Sequence, residues 1–171
     1  LHFDLSALRR LTLSEAFARS GASQDLVEPA YAAFYAARNQ VSFYDDALAA
    51  LERIAARFPV AALTNGNADL KVIGIDHLFV FQLGAREHGA AKPAASIFHA
   101  ACAQLGLAPA QVLHVGDHAE LDVAGAQRAG LRGCWINRIN ARWDDPGLQP
   151  DLHFDTLTGL ADWLDAHAPA A

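Results

Sequence analysis

Residues 112–130 read VLHVGDHAELDVAGAQRAG, and this stretch decides the fold. A short, largely apolar run, Val112 to Val115, stops at Gly116-Asp117. A second aspartate, Asp122, follows, and small residues then lead to Gly130. The pattern fits a buried strand that delivers an acid at its carboxyl end, where open α/β sheets bind ligands. Asp122 falls near the start of the next helix, close enough to join Asp117 around one hard cation. The same residues also read as a plain strand followed by a helix-capping Asp.

Two upstream stretches favour the functional reading. Val60-Ala61-Ala62-Leu63 is a second apolar run, and it ends at Thr64-Asn65-Gly66-Asn67. Small polar residues at a strand tip offer a hydroxyl and free backbone N–H groups to an anion. Further on, Lys92-Pro93 precedes AASIFHAACAQLG. Proline suits the first turn of a helix, so Pro93–Leu105 is expected to be helical, with Lys92 just before it. A hydroxyl, a lysine and a carboxylate pair thus follow one another, each at an element boundary.

Around these stretches the chain divides in two. Residues 1–42 are helical in pattern: Leu5, Leu8, Leu11, Leu13 and Phe17 form an apolar stripe, and Gly21 ends that helix. Ser23 is a candidate N-cap for the next helix, where Val27, Tyr31, Phe34 and Tyr35 share a face and read as packing residues. From Tyr44 onward helices and strands alternate. Helices are expected from Asp45 or Asp46 through Ile54 and over 68–73, 93–105, 119–129 (closed by Gly130) and 158–167. Strands are expected over 59–63, 79–83, 111–115, 132–136 and 152–154. Such alternation means parallel β-α units. The fold class is therefore α/β, a Rossmann-like parallel sheet flanked by helices, with a partial helical cap at the N-terminus. Residues 138–150, with Trp143, Pro146 and Pro150, read as an irregular connection, and the tail 167–171 is expected to fray.

Composition narrows the partners. A chain of 171 residues fits one ordinary domain, or a core with a small appendage. A formal charge of −6, from 13 Lys+Arg against 19 Asp+Glu, and the lack of a basic patch argue against nucleic acid. Much of the 53% hydrophobic content is alanine, and no run reaches membrane-spanning length. Cys102 and Cys134, far apart and outside any CxxC motif, read as buried thiols of a cytoplasmic protein. Among the histidines, His114 reads as a core residue, His118 as a neighbour of substrate or solvent, and His88 as a looser candidate for the pocket.

TNGN at 64–67, KPAASIF at 92–98 and GDHAELD at 116–122 resemble, in order and spacing, the second, third and fourth motifs of the haloacid-dehalogenase-like hydrolases. The intervening AREHGAAKP is similar to the family as well. The resemblance runs from about Tyr44 to the C-terminus and makes 43–171 the family's α/β core. His118 stands where many members carry a small or acidic residue. Most members are Mg2+-dependent phosphatases that work through an aspartyl-phosphate. The resemblance implies that Asp117 binds Mg2+ directly and Asp122 directly or through water. It implies that Thr64 donates its hydroxyl to the phosphate beside the Asn65 backbone N–H. Lys92 would neutralise charge on the phosphate and the nucleophile, and the substrate would be a small phosphorylated metabolite.

One family feature has no match. The first motif is a strand ending in Asp-x-Asp, its first Asp the nucleophile and its second the general acid. The nearest string, His2-Phe3-Asp4-Leu5-Ser6, has one acid and runs straight into a helical pattern, so Asp4 or Ser6 is expected to cap that helix. Residues 1–42 then resemble part of the family's cap, which lies between the first and second motifs. The first-motif strand belongs between the strands carrying Thr64 and Asp117, and its absence leaves two buried edges unpaired. The sheet is therefore expected to show a gap between 60–63 and 112–115, or a strand supplied by another segment or chain. The chain reads as an incomplete phosphatase-like hydrolase, inactive alone. The alternatives are a non-catalytic fragment or binding module that completes its sheet with a partner, and a 2-haloacid dehalogenase. Dehalogenation uses the same scaffold without Mg2+ and with an apolar pocket, so the paired Asp117 and Asp122 favour phosphate. A phosphate-acceptor receiver domain has its acid cluster ahead of the Thr and Lys, the reverse of the order here.

Overall fold

The computed structural model describes residues 4–145 and 147–167. It opens with α1 (Leu5–Ser20) and α2 (Val27–Arg38). Asp4 starts α1 by accepting the Ala7 N–H at 2.9 Å, so the cap reading of this residue holds. The two helices pack on each other. Arg10 lies over the Tyr31 ring and pairs with Glu28 at 2.9 Å, and Arg9 lies over Phe34. No residue of α1 is buried, so its leucine stripe gains little from this hairpin.

The remainder alternates as expected. In order come α3 (Ala47–Ala55), β1 (Ala61–Thr64), α4 (Leu70–Ile73), β2 (Phe81–Gly84), α5 (Ala85–His88), α6 (Ala95–Leu105) and β3 (Leu113–Gly116). A turn of π-helix (Ala119–Ala124), α7 (Gly125–Arg128), β4 (Arg132–Ile136), β5 (Leu152–Phe154) and α8 (Leu157–His167) complete it. Every strand pair is parallel. The period of two sends Val112 into a cluster with Ile97 and Phe98 of α6 and Ala126 of α7. Leu113 enters the opposite cluster, with Ile54 of α3 and Leu160 of α8. Helices therefore cover both faces, the arrangement parallel sheets require.

The strands form two sheets, β1-β2 and β3-β4-β5. No described strand joins β1 to β3, and the expected gap is present. Positions that a doubly covered sheet would bury stay accessible there. Val115 is 36% exposed, and no β1 residue is buried.

Three local expectations need correction. Helix α6 begins at Ala95, because Lys92 and Pro93, joined by a cis peptide bond, form a turn ahead of it. The helix expected over 119–129 opens with a π turn, in which the His118 carbonyl accepts from both the Asp122 and Val123 N–H groups. Asp46 precedes α3 but does not cap it with its side chain. Its carboxylate takes the Arg138 guanidinium at 2.7 and 3.1 Å and the N–H groups of Leu157 and Thr158 at 2.7 and 3.2 Å, so it caps α8 instead. Segment 138–150 is irregular where described. Pro146 and the tail beyond His167 lie outside the described residues. Cys102 and Cys134 are buried and unbridged. No described helix is long and apolar enough to cross a membrane.

Candidate active site

Lys92, Asn65 and Asp122 meet between the ends of β1 and β3. Just past β1, the Asn65 amide grips the backbone of Lys92. Its Oδ1 accepts the Lys92 N–H at 2.8 Å, and its Nδ2 donates to the Lys92 carbonyl at 2.9 Å. This grip holds the turn before α6 in place. The Lys92 ammonium then reaches into the gap, donating to the Leu63 carbonyl at 2.9 Å and pairing with Asp122 Oδ1 at 2.6 Å.

Asp122 is held from every side. It lies in the π turn with 5% exposure. Oδ1 faces Lys92 and, at 3.4 Å, His114 Nε2, while Oδ2 accepts the His118 N–H at 3.0 Å. Two glycines make this placement possible. A Cβ at Gly116 would stand 2.3 Å from the Asp122 Cγ, and one at Gly125 would stand 2.8 Å from the Pro93 Cβ. The first lets Asp122 sit under the end of β3, and the second docks α7 against the Lys92-Pro93 turn. Burial alone would raise the Asp122 carboxyl pKa. Hydrogen bonding from His114, the charge and hydrogen bond of Lys92, and the His118 N–H outweigh burial and hold it well below the usual carboxylate range.

Asp117 differs sharply. Its backbone carbonyl accepts the Trp135 indole N–H at 2.9 Å, but its exposed carboxylate has no hydrogen bond or ion pair to the described residues. Asp117 thus ends β3 with its carboxylate unpaired among the described residues, and Asp122 is held beside Gly116 and the His118 N–H. That donor set fits a water-rich Mg2+, which binds through one or two carboxylates and keeps several waters. Among the described residues no group of three or more His, Cys, Asp and Glu is arranged to hold a metal.

Thr64 lies at the tip of β1, its Oγ1 accepting the Gly66 N–H at 2.9 Å. It borders a cavity of about 670 Å3 walled also by Asp4, Ser6, Tyr35, Gln82 and Arg86. Asp4 pairs with Arg86 at 3.1 Å across it. Lys92, Asp117 and Asp122 are not among its walls. The structure thus brings Lys92, Asn65 and Asp122 together, with Thr64 one residue from the carbonyl that Lys92 holds. His88 is drawn off to Ser96 of α6 at 3.0 Å, away from these residues. His118 turns its Nδ1 to the Leu121 N–H at 3.2 Å and starts the π turn. His114 packs edge-on against the buried Phe98, in keeping with its reading as a core residue, and also reaches Asp122, while the role of Trp135 is not apparent from the sequence. For His114 a signal existed, since it shares a face of β3 with Gly116, against which Asp122 packs.

A family model for haloacid dehalogenase-like hydrolases matches residues 6–130. The chain belongs to that family. It is 37% identical over 114 residues to the 5-amino-6-(5-phospho-D-ribitylamino)uracil phosphatase YigB of Escherichia coli, a match covering 64% of this chain and 48% of that protein. It is 34% identical over 155 residues to phosphoserine phosphatase of Thermus thermophilus, covering 87% of this chain and 62% of that protein. The crystal structure of a 2-haloacid dehalogenase from Pseudomonas syringae pv. Tomato matches with a TM-score of 0.89 at 34% identity, over 97% of this chain and 74% of that one. The chain spans less than two thirds of either phosphatase. Phosphatases and 2-haloacid dehalogenases both stand among its relatives.

Proposed function

We propose that the chain carries most of the active site of a Mg2+-dependent phosphoric monoester hydrolase. The observation behind this reading is the exposed Asp117 carboxylate at the end of β3, unpaired among the described residues and followed by Asp122, whose own charge Lys92 already balances. A phosphate ester brings more negative charge to this turn, and fixed positive groups are what its transfer needs. Mg2+ held by Asp117 directly, and by Asp122 through water, would supply further positive charge there. Thr64 Oγ1 accepts from Gly66, so its own proton is free to donate to a phosphate oxygen. Lys92 stands at the end of β1 to neutralise phosphate and nucleophile, and Asn65 acts by fixing Lys92 as well as through its backbone N–H.

The nucleophile in this reading sits on a strand seated between β1 and β3, supplied by another segment or chain. Its carboxylate forms the O–P bond as the ester P–O bond breaks. The second acid of that strand protonates the leaving oxygen, and water then cleaves the aspartyl-phosphate. Among the described residues no acid occupies that place, and the chain by itself is expected not to turn over. A small phosphorylated metabolite in the cytoplasm is the proposed substrate.

The dehalogenase match favours a second reading, halide displacement from a 2-haloacid. Assays of the complete protein on phosphate esters and on 2-haloacids, with Mg2+ or with excess chelator, separate the two. Phosphate release that chelator abolishes supports the phosphatase. Halide release indifferent to chelator overturns it, and no turnover of either kind favours a binding module.

A further inference from the structure

We infer that Trp135 is a positioning residue that sets Asp117 for cation binding by clamping the Asp117–His118 peptide. The inference rests on the metal reading proposed above. Strand β3 ends at Gly116, whose register partner on β4 is Trp135. The Asp117 carbonyl therefore lies past the last rung of the ladder, where a backbone acceptor needs another partner. The Trp135 side chain supplies it, donating Nε1–H to that oxygen at 2.9 Å. The N–H of the same peptide belongs to His118 and donates to Asp122 Oδ2 at 3.0 Å. A peptide unit is planar. Held by its oxygen from one side and by its N–H from the other, it has a fixed orientation, which leaves the Asp117 carboxylate one backbone torsion and its side-chain torsions.

The donor is itself immobilised. Trp135 is 3% exposed. It stacks on His153, with ring centroids 4.9 Å apart, and meets Trp143 edge-on at 5.2 Å. Trp143 donates in turn to the Asp145 and Leu148 carbonyls at 3.0 and 2.8 Å, which ties the irregular connection after β4 to this stack. An indole N–H only donates, so the contact has one polarity. The clamp thus runs from that connection through two tryptophans to Asp117, whose carboxylate has no partner among the described residues.

Mn2+ binding, read by electron paramagnetic resonance as a stand-in for Mg2+, tests this on the intact chain. Loss of a group that orients a metal ligand typically weakens affinity about 10–100-fold. Trp135→Phe keeps the ring and removes the donor, so Mn2+ is expected to bind about 10-fold more weakly, with an unchanged circular dichroism spectrum. Trp163→Phe, at a tryptophan stacked on His167 instead, is the control and is expected to bind as the unaltered chain does. Equal affinity in folded Trp135→Phe and the unaltered chain overturns the clamp. Equal affinity in Asp117→Asn and the unaltered chain overturns the metal reading, and the clamp with it. Should Trp135→Phe not fold, the Trp135 indole N–H resonance of the unaltered chain decides. A shift on adding Mg2+ that Asp117→Asn abolishes supports the clamp, and a resonance unmoved at saturating Mg2+ overturns it.

Discussion

Replacing Asp122 by Asn leaves the Lys92 ammonium in the gap without its counter-ion. The two side chains are 12% and 7% exposed, so the pair is screened little by water. Removing one partner of a buried pair typically costs about 3–5 kcal/mol. Lys92 keeps the Leu63 carbonyl, which places the expected cost near the lower end, about 3 kcal/mol. In a domain of this size that lowers Tm by roughly 6–12 °C. Urea unfolding followed by circular dichroism measures it, with Lys92→Met and the double variant completing a cycle. With no charge left unpaired, the double variant is expected to lose about 2 kcal/mol less than the sum of the singles. The pH dependence has a definite sign. The fold holds the Asp122 carboxyl below its ordinary range, so its contribution is complete above the unfolded value and lost as pH falls through the lower folded value. The difference between the natural chain and Asp122→Asn therefore narrows in acid. A cost below about 1 kcal/mol with additive singles, the behaviour of a solvated surface pair, would refute the reasoning.

Asp117→Asn is expected to behave in the opposite way. With no protein partner to lose, its unfolding free energy should stay within about 0.5 kcal/mol, while Mg2+-dependent turnover of the complete enzyme disappears. Full activity in that variant, or in excess chelator, would count against the metal. Arg138 hydrogen bonding first, and the Thr158 and Leu157 N–H groups against the opposing effect of burial, pull the Asp46 carboxyl down from 3.8 to about 2. That stabilises the fold by up to about 2 kcal/mol, fully present above pH 4 or so and lost as pH falls toward 2. Unfolding titrations of Asp46→Asn against the natural chain over that window test it, and a difference independent of pH refutes it. Gly116→Ala drives a methyl group into Asp122 at 2.3 Å. Unfolding should become easier by about 1–3 kcal/mol, and a neutral result in thermal melts would mean that Asp122 does not sit under β3.

The parallel α/β core was legible because its strands are short apolar runs cut off by turn residues: Arg132–Ile136 and Leu152–Phe154 fall where the sequence places them. The open edges beside β1 and β3 were legible as well, since no apolar run ending in Asp-x-Asp occurs to fill them. Local periodicity carries less about what side chains do at long range. Nothing near Asp46 shows that it will cap a helix more than a hundred residues later, in preference to the one it precedes. Asn65 reads as part of an anion-binding tip through its backbone N–H, and nothing in the spacing shows that its side-chain amide will hold the backbone at Lys92. A π turn and an α turn share the same apolar pattern, so the displacement that buries Asp122 beside Lys92 left no trace in the spacing. Trp135 had no local signal, because its role depends on strand register.

The proposed function stands or falls on phosphate release measured with the gap filled. The chain, its N-terminus confirmed at Leu1 by mass, is mixed with an apolar peptide ending in Asp-x-Asp and assayed on a panel of phosphate esters with and without Mg2+. Turnover is expected only when peptide and Mg2+ are both present, with the peptide paired to β1 and β3. Mg2+-dependent turnover by the chain without any added strand, or none with the strand demonstrably seated in the gap, would contradict it.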